Sequence, residues 1–187
     1  MKTTFKKIKS FEPCREGWQK LIAYYSPNSL DEEISIREIL ISNGVKDAVW
    51  ALCAVNDQDK VRLFRADVAE SVLHIFEKEC PEDDRPRKAI EAIRKFVQKE
   101  ISKEELKSAA YAADTATYAA CTAAAEAAAY TAYAACAAAA DTAAYYVITK
   151  AVHAVIIAAE AADVITAAIA GTRKWEEIEE ILMKYIN

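Results

Sequence analysis

Glycine, proline and histidine are scarce in this chain: three, four and two residues respectively among 187. With only Gly17, Gly44 and Gly171, no phosphate-cradling loop, dinucleotide fingerprint or nucleophile elbow is present, since each needs glycine at fixed spacing. With only His74 and His153, a histidine-rich metal site cannot be assembled. The Glu-x-x-His motif of di-iron bundles is also missing, so no metal and no cofactor is expected. The five cysteines are odd in number and contain no Cys-x-x-Cys pair. Met1–Lys9 is basic without a following apolar core, so no secretory signal is visible. Reduced thiols in a cytoplasmic protein are the expectation.

What fills the chain instead is alanine. From Ala109 to Ala170, 31 of 62 residues are alanine, and no glycine or proline occurs from Lys88 to Ala170. Alanine is the best helix former because it loses no side-chain entropy on folding. One unbroken helix of that length would reach about 93 Å, against a radius of gyration of roughly 16 Å for a compact chain of this size. The block is therefore expected to fold back into two or three helices, breaking at Tyr145–Thr149 and near Ala129–Thr131. Facing alanines let helices approach more closely than the usual ~8–10 Å, while each contact buries little apolar area. Such packing would rely on the few large residues, Tyr111, Tyr118, Tyr130, Tyr133, Tyr145 and Tyr146. Residues 117–128 also align with 132–143 at 8 of 12 positions, pairing Tyr118 with Tyr133, Cys121 with Cys136 and Glu126 with Asp141. This is either a duplicated helix facing a partner or the self-similarity of low-complexity sequence.

Charge divides the chain the same way. The formal net charge is −5. Residues 1–107 balance at 20 basic against 20 acidic side chains, whereas residues 108–171 carry only Lys150 against Asp114, Glu126, Asp141, Glu160 and Asp163. No basic stripe survives there, which argues against nucleic acid. Recurrent acids in a marginally apolar block argue equally against a membrane span.

Taken in order, Met1–Ser10 has few apolar anchors and is expected to be partly disordered. Pro13 suits the first turn of a helix carrying Trp18, Leu21, Ile22 and Tyr25, with Cys14 as a buried structural thiol. Ser35-Ile36-Arg37-Glu38 is a capping box, and Asn43-Gly44 stops the helix it opens. A helix over about 46–55 follows. Val61–Cys80 is amphipathic, with Val61, Phe64, Val68, Val72, Ile75 and Phe76 inward and His74 at the flank. Pro81–Pro86 breaks the chain before a helix over 87–100, and Ser102–Glu105 is a second capping box. Gly171 should terminate the alanine block and Thr172 cap a last helix whose Trp175, Ile178, Ile181, Leu182 and Tyr185 dock on the core. The fold class is thus all-α: a multi-helix bundle, one domain over residues 1–187, with closely packed alanine-rich helices over 108–171 and a docking helix over 172–187.

No catalytic residue stands out. The acids of the alanine block, with Tyr118, could line a polar pocket, which keeps a small-molecule-binding domain or an enzyme as the alternative function. Asp83, Asp84, Arg85 and Arg87 surround the rigid Pro86. They form either a helix cap with local ion pairs or a recognition turn, and so are the candidate partner-binding residues.

Several stretches occur together in order: Phe11-Glu12-Pro13-Cys14 with Gly17-Trp18, Asn43–Leu52 with Trp50, Asp84-Arg85-Pro86-Arg87-Lys88-Ala89-Ile90, and the alanine-rich half. This arrangement resembles the putative immunity protein family of bacterial polymorphic-toxin systems, in the branch with alanine-rich C-terminal helices, over roughly residues 11–185. Trp18 is followed here by Gln19, and Asn43–Asp47 replaces the Gly-Asp-Trp-like segment of that family. The resemblance implies a non-enzymatic role, the binding of a cognate toxin as protein partner. Homo-oligomers through exposed alanine ridges stay open.

Overall fold

The computed structural model describes residues 1–122, 126–139, 146–152, 154 and 164–186. Within α-helices, the side chains of 117–122, 126–129 and 164–169 lie outside that description. Strand β1 (Lys2–Thr4) pairs antiparallel with β2 (Glu33–Ser35), Thr3 opposite Ile34, and this short ladder is the only sheet among the described residues. Everything else that is regular is helical, as the composition requires.

Met1–Ser10 is not disordered. Thr4 ends β1 and caps α1 (Phe5–Ser10) by accepting the Lys7 amide. Pairing with β2 places Phe5 and Ile8 in the core, and the Thr3 hydroxyl donates to the Ala54 carbonyl. The basic composition of this segment concealed two apolar anchors one helical turn apart.

Helix α2 (Arg15–Tyr25) starts two residues after Pro13, which was expected in its first turn. The Cys14 sulfur accepts the Gly17 amide at 3.3 Å, so Cys14 is the cap and Pro13 lies ahead of it. Helix α3 (Ile36–Asn43) opens on the expected capping box. The Ser35 hydroxyl accepts the Glu38 amide at 3.2 Å while Glu38 accepts the Ser35 amide at 2.7 Å. Gly44 stops α3 at φ +91°, a left-handed conformation that side chains resist. Helix α4 (Val45–Ala51) passes into a 3₁₀ turn at Leu52–Ala54.

Helix α5 (Gln58–Glu79) is the shared element. Its Val61, Phe64, Val68 and Val72 enter one cluster with Phe5, Ile36, Leu52, Ile148, Ile178 and Leu182. Its Ala66, Ala69 and Leu73 enter a second cluster with Ala89, Ile90, Ile93, Ala113, Ala135 and Val147. Of the residues expected inward on α5, Ile75 alone is only partly buried. Helix α6 (Arg85–Val97) buries Ala89, Ile90 and Ile93, leaving Phe96 and Val97 half-exposed. Helix α7 (Lys103–Thr122) opens on the second capping box, with Ser102 and Glu105 exchanging bonds of 3.2 and 2.7 Å. Helix α8 (Glu126–Ala139) packs against α5, α6 and α7. Residues 146–152 are helical (α9), and α10 (Val164–Ile186) closes the chain.

Two expected boundaries move. Residues 129–131 lie inside α8, so no break falls there; residues 146–149 lie inside α9, and Tyr145 lies outside the described residues. Gly171 does not stop a helix and Thr172 does not cap one, because α10 runs through both. Gly171 is buried, so packing holds the backbone that its propensity would release. The docking stripe itself is observed: Ile178, Ile181 and Leu182 are buried, with Trp175 and Tyr185 packed beside them. Among the described residues no helix is long and apolar enough to cross a membrane.

Candidate functional site

The charged turn before α6 neutralises itself. Asp83 takes the Arg85 Nε at 2.8 Å and also the Nη2, while Arg85 Nη1 donates to Thr115 Oγ1 of α7 at 2.7 Å. Hydrogen bonds from Arg85 hold the Asp83 carboxyl below the usual carboxylate range. Arg87 turns to Glu77 of α5, its Nε 2.7 Å from the carboxylate, and Asp84 pairs with Lys88 at 2.8 Å. Asp84 occupies the cap position but makes no side-chain cap bond. The four residues are therefore brought to one corner in two roles. Asp83 and Arg85 tie the turn to α7, whereas Asp84 and Arg87 belong to exposed pairs that contribute little stability.

A second feature lies on the opposite side of the sequence, where α2, α3 and α4 converge. A cavity of about 350 Å³ is lined by Pro13, Cys14, Trp18, Lys46, Asp47 and Trp50 among others. Asn43 clamps its wall, donating from Nδ2 to the Gly17 carbonyl and to Asp47 Oδ2, both at 2.8 Å. Gly17 leaves room here: a Cβ would lie 2.7 Å from Asp47 Oδ2 and 3.1 Å from the Cys14 sulfur, so those side chains would have to shift. Lys46 reaches the Trp175 ring of α10, its Nζ 5.4 Å from the centroid. Cys14 is exposed at this cavity, not the buried thiol expected from its apolar character. Its sulfur serves as the cap of α2.

In the alanine half, the cation Lys150 meets aromatic faces. Its Nζ lies 5.2, 5.2 and 5.0 Å from the ring centroids of Tyr130, Tyr133 and Tyr146. The Tyr133 and Tyr146 hydroxyls share a hydrogen bond of 3.1 Å, which with burial pushes Tyr133 up to about 12. Tyr111 and Tyr146 are exposed, contrary to the expectation that the large residues all fill the core. Burial, with the Asp114 charge, pushes the Cys136 thiol up to about 11. Of the polar pocket considered for Asp114, Asp141 and Tyr118, Asp114 is partly buried on α7, while Asp141 and the Tyr118 side chain lie outside the described residues, as do Tyr145, Glu160, Asp163, His153 and the side chains of Cys121 and Glu126. Among the described residues no group of three or more His, Cys, Asp or Glu is placed to hold a metal ion.

A polar seam joins α5, α6 and α10. Tyr185 donates to Asp67 at 2.7 Å, and Arg94 donates to Asp67 at 2.9 Å and to Glu70 at 2.6 Å. Lys174 is only 3% exposed and donates to Ser71 at 2.6 Å and Glu177 at 2.9 Å. Burial lowers its pKa. Sequence reading missed Lys174, although its place four residues before Ile178 put it on the inward stripe.

With these features in place, comparison with known families gives one result. Residues 51–183 match the profile of the family described as Imm-5 like putative immunity protein. The chain belongs to that family. No curated protein and no solved structure matches the chain. The family match takes in the Asp83–Arg87 turn, the Lys150 cluster and the polar seam apart from Tyr185. It begins at Ala51, so nearly the whole lining of the tryptophan cavity precedes it. It is narrower than the resemblance read over residues 11–185, because the Phe-x-Pro-Cys start lies outside it.

Proposed function

We propose that this protein is a non-enzymatic, cytoplasmic antagonist that binds a bacterial toxin and blocks it. The observation that carries this reading is the match to an immunity-protein family over well more than half of the chain. A blocker needs a rigid complementary surface and no reacting group. A packed helical frame suits the first need, and the Asp83–Arg87 corner carries charges of both signs. Asp84 and Arg87 are the residues of that corner offered to the partner, since each belongs to an exposed pair that can be exchanged. Asp83 and Arg85 position them from behind.

The test is to tag the chain in its native cells, purify it gently and identify what accompanies it. A stoichiometric toxin, neutralised by the added protein, is the expected result. Asp84→Lys with Arg87→Glu should then weaken the complex by on the order of tenfold without unfolding the chain. A homo-oligomer without a protein partner would overturn the reading, and wild-type affinity in the double variant would remove the corner from the interface.

A further inference from the structure

Two stretches remote in sequence build the tryptophan cavity: Pro13–Trp18 at the start of α2, and Asn43–Trp50 from the end of α3 into α4. Its volume of about 350 Å³ lies within the range of small-molecule sites, ~300–1,000 Å³. Partly exposed Trp18 and Trp50 give it aromatic walls, and buried Ile8, Leu21 and Ile39 give it an apolar floor.

The polar lining is a matched pair of opposite charges. Lys46 and Asp47 adjoin in the chain and both line the cavity, and among the described residues neither forms a salt bridge. Asp47 is held by the Asn43 amide, whose other hydrogen goes to the Gly17 carbonyl. The carboxylate is thus held against the wall by a neutral donor, with no salt bridge among the described residues. Gly17 keeps the room that this arrangement needs, since any Cβ there would strike Asp47. Lys46 rests near the Trp175 ring, also without a carboxylate.

An aromatic, apolar cavity bearing one fixed anion and one cation complements a particular ligand chemistry. A neutral ligand leaves both charges unmatched, an anion meets Asp47 and a cation meets Lys46. We infer that this cavity binds a small zwitterion with an aromatic or branched apolar body, the chemistry of a free hydrophobic amino acid. Its ammonium faces Asp47, its carboxylate faces Lys46, and its side chain lies between the indoles. This site goes beyond the antagonist role and does not depend on it.

Four probes test it on the full chain, by tryptophan fluorescence and calorimetry: phenylalanine, N-acetylphenylalanine, phenylalanine amide and N-acetylphenylalanine amide. Phenylalanine should bind tightest, with each singly blocked form weaker by roughly five- to tenfold. Lys46→Gln, at an exposed position, should abolish the preference over phenylalanine amide and keep the preference over N-acetylphenylalanine. Failure of all four probes to saturate at millimolar concentration would overturn the inference. So would a preference order unchanged by Lys46→Gln. Equal binding of the doubly blocked form would also overturn it, and would make the cavity a hole for a partner protein's side chain.

Discussion

The cluster around Phe64 and the cluster around Ala135 share one helix, α5, and differ in the size of what they bury. The first is filled by phenylalanine, isoleucine, leucine and valine from both ends of the chain. The second is filled mainly by alanines of α5, α6, α7 and α8, with Leu73, Ile90, Ile93, Leu106 and Val147 among them. Burying a large aliphatic or aromatic side chain contributes ~1.5–3 kcal/mol, whereas a methyl contributes a fraction of that. The first cluster therefore draws on apolar area, and the second on close approach of backbones. One should fail when atoms are removed, the other when atoms are added.

The largest expected effect breaks the first. Phe64 is fully buried and meets Tyr185 edge-on, with centroids 6.1 Å apart. Phe64→Ala should lower the unfolding free energy by about 3–5 kcal/mol in denaturant titration. A loss below ~1 kcal/mol would mean that side-chain size does not fill that cluster.

A smaller effect of opposite construction tests the second. Ala135 of α8 is fully buried, so Ala135→Leu should overpack the contact and cost about 1–3 kcal/mol. Unchanged or raised stability would show that α8 has room and that close approach is not its organising feature.

The smallest effect sharpens the contrast by pH. The Cys136 thiol, ordinarily near 9, is pushed up to about 11 in the fold, mainly by burial. Below pH 9 both folded and unfolded chains hold the proton, and this group costs nothing. Above it the unfolded chain releases the proton first, so stability falls as pH rises toward 11. Cys136→Ala should make that alkaline decline shallower, as read from denaturation midpoints between pH 8 and 11. Parallel curves for the two proteins would show that the thiol is not sheltered.

Local signals were legible wherever local physics decided the outcome. The capping boxes at Ser35–Glu38 and Ser102–Glu105, the stop at Gly44 and the stripe of α5 each depend on residues within four or five positions of one another. The candidate corner was legible as residues but not as pairings, because Thr115 and Glu77 lie on other helices. The tryptophan cavity was legible only in fragments. Gly17-Trp18 and Asn43–Leu52 were both singled out, and nothing in either segment shows that Asn43 bonds Gly17. Gly171 misled because its helix-breaking propensity, worth ~1 kcal/mol, is outweighed when the helix around it is packed.

Composition by itself determined that this chain is helical. Abundant alanine and scarce glycine and proline favour helix over any other regular structure. Tertiary structure decided the rest. It recruited residues 1–10 through a strand pairing with residues 33–35, and it set an exposed cysteine as a helix cap. It also buried Lys174 and gathered two tryptophans with an unpaired lysine and aspartate. Each of these depends on contacts between segments distant in the chain, whose energies no local pattern encodes.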